Sequence, residues 1–303
     1  MKNMNTKKLF VFLLFAFLMM VILGLLMRLT GGTSANTIIS ASNSDPTSAI
    51  LGFLFSAAAM FIPLLSVVLT QLIFKEPILK GLGISFKINM SWLTGWLLIP
   101  IIAFATLGMT LLMPGAKWST DNEIIQTALS QMPIDIGVWG IIAISTVSGL
   151  FAGLTINALF GFGEEIAWRG FLMKEFKGKK FLAVALLIGV IWGLWHAPIV
   201  LNGHNYPIHP LAGIFMMVAL CILLTPILMY FRQKSGSVIV PAIMHGTFNA
   251  LIGISFMVVE TPSNDLLYGG AGLAGFIVLA GINLCLFLYD KFVSKENIFG
   301  SHL

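Results

Sequence analysis

Three small polar clusters interrupt stretches that are otherwise apolar: Glu164, Glu165 and Arg169; His196; and His245 with Asn249. An ionisable side chain at membrane depth costs at least about 2.5 kcal/mol, so such residues usually mark a site. On a helix, Glu165 and Arg169 are four apart and share a face, which lets the guanidinium neutralise that carboxylate inside the protein. Glu164 points about 100° away, a carboxylate with no partner of its own and so suited to act as a general base. His245 and Asn249 are also one helical turn apart. One acid, two imidazoles and a carboxamide are the parts for hydrolysing an amide with water. Glu164 can take a proton from the water while His196 helps to hold it, and His245 and Asn249 can donate to the oxyanion of the tetrahedral intermediate. A zinc ion held by Glu164, His196 and His245 is the rival arrangement; no HExxH is present, and Asn249 would be idle in it. Ordinary packing is the bland alternative: a polar helix end for Glu164, Glu165 and Arg169, and helix-to-helix hydrogen bonds for the histidines.

The elements that must carry these residues are membrane helices. With 58% hydrophobic and 10% charged residues in 303 and a mean hydropathy of +0.97, the chain cannot pack as one water-soluble domain. Apolar runs of spanning length fall at about 9 to 29, 48 to 74, 92 to 113, 136 to 173, 181 to 201, 211 to 231, 236 to 259 and 270 to 290, which predicts an all-α polytopic bundle of about eight crossings. The first run follows Lys2, Lys7 and Lys8 but is too long for a signal sequence and is read as a retained span. Assigning loops alternately puts 15 of the 17 Lys and Arg on one side, leaving Arg28 and Lys117 on the other. That asymmetry predicts cytoplasmic termini and accounts for a basic pI without a nucleic-acid partner.

The fourth run is too long for one perpendicular helix, since about 38 residues make about 57 Å against a hydrocarbon core of about 30 Å. It must bend, tilt or break, and Gly149, Gly153, Gly161 and Gly163 supply permissive positions. Counting rise from Lys174 and Lys234 puts Glu164 and His245 at matching depths of about 15 and 16 Å, whereas His196 comes out at about 24 Å from Lys180 unless some of that stretch is loop or the helix tilts. The regions 30–47 and 114–135 are read as loops of turn-forming residues on the outer side. Cys221 and Cys285 are read as small buried hydrophobes.

The order and spacing Glu164-Glu165-x-x-x-Arg169, Trp192-x-x-x-His196 and His245-x-x-x-Asn249 resemble the CAAX prenyl protease and bacteriocin-processing family, also called CPBP or Abi proteins. The resembling core covers about residues 135–260 of a single membrane domain spanning 1–303, with 1–134 forming N-terminal helices. The resemblance implies an eight-helix intramembrane endopeptidase. Its motif roles carry over as water activation by Glu164 and His196, an oxyanion hole from His245 and Asn249, and support from Glu165 and Arg169. Trp192 stands where phenylalanine is common, which bears on pocket shape more than chemistry. The family carries a metalloprotease label, so divalent zinc stays a candidate cofactor although none is assigned.

The expected partners are membrane lipid and a peptide or protein substrate, lipidated or not; no particular protein partner is indicated. Compact loops suggest a bacterial cell membrane and favour peptide substrates over prenylated proteins. A catalytically silent scaffold or regulator of the same family is the alternative, and a transporter a more distant one, disfavoured by the lack of a visible inverted repeat. His204 and His209, in a turn-rich segment, are read as solvent-exposed turn residues.

Overall fold

The computed structural model describes residues 5–30, 46–121, 123–134 and 136–303, so most of the predicted loop 30–47 lies outside the described residues. It is an all-α polytopic bundle. Helix α1 is Thr6–Leu29, α2 Pro46–Ile73 and α3 Met90–Leu111. A short strand β1, Lys117–Trp118, and a two-turn helix α4, Glu123–Ser130, precede α5, Gly137–Leu154. Next come α6, Ile156–Glu165, running on through a π-helical stretch Ile166–Leu172, then α7, Phe181–Trp195, and the single turn α8, Ala197–Val200. The chain closes with α9, Pro210–Ser235, α10, Ile239–Leu251, α11, Ser255–Val258, strand β2, Val259–Glu260, and α12, Leu273–Leu288.

Among the described residues, seven helical stretches are long and apolar enough to cross a bilayer, one of them running through α10 and α11 as Ile239–Val258, and α7 is a shorter apolar helix of 15 residues. The chain is therefore a multi-pass membrane protein. Its outer surface bears this out: Leu14, Leu18, Ile22 and Leu25 stand exposed along α1, a contiguous apolar face that water would not tolerate and lipid accepts.

The run 136–173 breaks, as its length required. The break comes at Thr155, whose backbone leaves the helical region at φ −120°, ψ −102°, and not at a glycine. The glycines serve packing instead. A Cβ on Gly161 would stand 2.7 Å from the Ala242 carbonyl oxygen, one on Gly246 2.5 Å from the Asn157 carbonyl carbon, and one on Gly153 would overlap Thr247. Helices α6 and α10 thus meet backbone to backbone, the close approach that small residues permit in membranes. Gly189 and Gly193 do the same for α7 against α9, at Ile222 and Val218.

Two local readings need correction. The region 114–135 is not turns alone, since β1 pairs antiparallel with β2, Lys117 opposite Glu260 and Trp118 opposite Val259, and α4 follows. Two-residue strands lie below what alternation can reveal. Cys285 is exposed on α12, while Cys221 is buried, and both are free thiols.

At the lysine-rich end of the bundle, Lys8 is buried at 1% exposure, its ammonium 2.7 Å from Glu76 and 2.6 Å from Glu175. This ties the start of α1 to the segment after α2 and to the end of the α6 extension. The Lys8 hydrogen bond holds the Glu76 carboxyl below the usual carboxylate range, against partial desolvation. A carboxyl depressed in the folded state contributes stability above its unfolded pKa and loses it as pH falls through the folded value. Glu76→Gln should therefore lower stability in detergent by about 1 kcal/mol or less at pH 7. The difference should begin to shrink as the pH falls through about 4.3 and vanish only below the lower folded value, which melting curves taken at descending pH would check.

Candidate active site

Three helix segments bring the predicted residues around one indole. Trp192, buried on the last turns of α7, donates through Nε1 to Glu164 Oε2 at 2.6 Å. Its ring centre lies 5.9 Å from that of His196 and 5.4 Å from that of His245, and the Arg169 guanidinium sits 4.4 Å over its face. An aromatic belt residue would face the interface; this one is at the centre of the site.

Glu164 does not lack partners, contrary to the expectation from helix geometry. Trp168 Nε1 adds a second donor to Oε2 at 3.2 Å, so both indoles converge on one oxygen. The other oxygen is left for the cavity that Glu164 lines. Trp168 was missed, although its i+4 spacing from Glu164 is readable and puts the two on one helix face. Nothing in composition distinguishes an indole that donates to a carboxylate from one that packs.

Glu165 and Arg169 pair as the spacing predicts, Nη1 to Oε1 at 2.9 Å with both side chains fully buried. The same carboxylate oxygen faces His245 Nδ1 at 2.9 Å. Arg169 Nη2 donates to the Thr225 hydroxyl at 2.9 Å, a contact from α9 that the sequence reading also missed. Thr225 is the only Ser or Thr of the apolar run 211–231, a signal that an ordinary back-bond to its own helix would equally explain.

His196 caps the end of α7, with Nδ1 2.8 Å from the Trp192 carbonyl oxygen. Since a carbonyl only accepts, Nδ1 carries the hydrogen and Nε2 is an acceptor. No loop shortens the path to His196, because α7 begins at Phe181, directly after Lys180. Side-chain direction narrows the apparent gap in depth. Side chains lean toward the N-terminus of their helix. That carries His196 back toward the lysine-rich end and Glu164, on a helix of opposite course, away from it.

Asn249 is exposed, one turn beyond His245 on α10, and borders the same cavity. The cavity, about 210 Å³, is lined by Glu164, Trp192, His196, His245 and Asn249 and by apolar side chains such as Phe55, Met217 and Phe248. His204, read as a solvent-exposed turn residue, also lines it, its ring within 8° of parallel to that of His196. His209, by contrast, is held outside the cavity lining by Asp265, at 2.7 Å.

Among the described residues no three His, Cys, Asp or Glu side chains gather so as to hold an ion.

Residues 146–251 match the family described as type II CAAX prenyl endopeptidase Rce1-like, in agreement with the resemblance carried by the three motifs. All seven motif residues, Glu164, Glu165, Arg169, Trp192, His196, His245 and Asn249, lie within the matched stretch. No curated protein matches the chain.

Proposed function

From the match of residues 146–251 to Rce1-like CAAX endopeptidases, we propose that this chain is an intramembrane endopeptidase. It hydrolyses a peptide bond of a membrane-associated peptide or protein near the cytoplasmic face. The observation that carries this reading is the convergence of Glu164, His196 and His245 on Trp192 at the wall of one cavity.

Glu164 is the general base. Its two indole bonds fix one oxygen and present the other to water, a rigid placement that a free carboxylate would have to acquire at an entropic cost. His196 accepts a hydrogen of that water at Nε2. His245 needs more care, because its Nδ1 hydrogen is committed to Glu165. Nε2 can donate to an oxyanion only when the ring is imidazolium. Charge balance favours that state: Glu164 and Glu165 supply two negative charges, Arg169 and a protonated His245 two positive ones, and buried charge is tolerated when paired. Asn249 supplies the second oxyanion donor through its amide. An apolar cavity strengthens each of these interactions by excluding water.

Purified protein in detergent, incubated with a library of candidate peptides, tests this. Cleavage is expected, and is expected to survive a strong chelator; loss on chelation would instead favour the zinc arrangement. Asn249→Ala should lower kcat by about 10²–10³ with little change in KM, the signature of a lost oxyanion donor.

A further inference from the structure

His204 lines the cavity with Glu164 and His196, yet the hydrolysis outlined above leaves it without a task. The loop that carries it, residues 201–209, is anchored at position after position. Asn202 Nδ2 donates to the carbonyls of Gly24 at 3.1 Å and Pro198 at 2.8 Å. Gly203 and Asn205, on either side of the histidine, adopt left-handed φ of +88° and +60°. The buried Tyr206 hydroxyl donates to the Ala271 carbonyl at 2.6 Å. The amides of Ile208 and His209 donate to Asp265 Oδ2 at 2.7 and 3.3 Å. A connection between helices does not need this many ties, whereas a loop that presents a reactive group does.

The backbone N–H of the histidine at its centre donates to the Ile199 carbonyl at 3.1 Å, and its imidazole makes no hydrogen bond to another described residue. Its ring centre is 6.2 Å from that of His196, with the planes 8° from parallel. A direct N–H···N bond, with nitrogens about 3 Å apart and each about 1.1 Å from its ring centre, needs centres within about 5.3 Å of each other, closer than these rings stand. A single bridging water, at about 2.8–3 Å from a nitrogen on each side, suits the gap.

We propose that His204 is a further catalytic residue of this site, its ring N–H donating to the oxygen of the attacking water. The inference rests on the peptidase reading above. The water then has four neighbours: one hydrogen goes to Glu164, the other to His196 Nε2, one lone pair accepts from His204, and the last lone pair faces the substrate carbonyl carbon. As the carbon–oxygen bond forms, the first hydrogen passes to Glu164. When the carbon–nitrogen bond breaks, that proton passes to the leaving nitrogen. His204 keeps its hydrogen throughout, so it orients the nucleophile without changing charge.

His204→Phe keeps a flat ring but no donor, and His204→Asn keeps a donor. The Phe variant should lower kcat about 10–100-fold with KM nearly unchanged, and the Asn variant should recover part of the loss. Unchanged kcat in His204→Phe, in a preparation whose Glu164→Ala variant is inactive, would overturn the proposal. The ¹⁵N resonance of His196 Nε2 gives a readout that does not depend on cleavage. It should move in His204→Phe as the shared water is lost, and a resonance that stays in place overturns the proposal. A resonance that moves while no variant cleaves any peptide upholds the His204 contact and removes the peptidase reading instead.

Discussion

Replacing Glu164 with glutamine is expected to cut peptide cleavage by about 10²–10⁴-fold, the usual worth of a positioned general base. The substitution is nearly isosteric, and its amide oxygen can still accept from Trp168 and Trp192, which now donate to Oε2 at 3.2 and 2.6 Å. Packing at this buried position should therefore survive while basicity is lost. Turnover of a fluorogenic peptide, measured beside expression level and melting temperature, separates the two effects. A variant that stays fully active would defeat the peptidase reading, and equal cleavage in the wild type and in the variant at a trace level would point to a contaminant. A scaffold or transporter would show its cellular phenotype unchanged in the same substitution.

The second large effect concerns stability. Arg169→Met should destabilise the protein by about 3–5 kcal/mol, because it leaves Glu165 as a buried charge stripped of its guanidinium partner. Arg169 is fully buried between Glu165, Thr225 and the face of Trp192. Arg169→Lys should rescue little, since a single ammonium cannot reach a carboxylate and a hydroxyl on separate helices while stacking on an indole. The double variant Glu165→Gln with Arg169→Met should regain much of the loss, because neutralising both partners removes the stranded charge. Unfolding of the three variants in detergent checks this, and a double variant as unstable as Arg169→Met would show that packing dominates over charge. Activity should fall in all three, since Glu165 Oε1 also orients His245.

Much of this site is legible from residue types at helical spacing. Glu165 with Arg169, and His245 with Asn249, are pairs one turn apart whose polarity stands out in apolar runs. What spacing cannot reveal is which helices meet. The bonds from Trp192 to Glu164 and from Arg169 to Thr225 join residues 28 and 56 positions apart, and only the bundle decides them. His204 shows the same limit, since turn chemistry in Asn202, Gly203 and Asn205 is real but says nothing of where the turn is aimed. The fold was readable at the level of spans because lipid imposes length and apolarity on each. The break at Thr155 and the paired strands β1 and β2 were not, since the first has no glycine or proline signal and the second are two residues long.

The glycine contacts between α6 and α10 bear on how the reaction centre responds to its surroundings. With Gly161 against Ala242 and Gly246 against Asn157, the helix bearing Glu164 and the helix bearing His245 and Asn249 are locked as a single strut. Bilayers vary in thickness and flex thermally, and helices accommodate by tilting. A strut tilts as a whole, which favours a constant separation of Glu165 and His245. Helix α2 is tied to the same strut, since a Cβ on Gly163 would overlap the Met60 carbonyl, so adjustment to a bulky substrate falls to side chains that border the cavity, such as Met27 and Phe55.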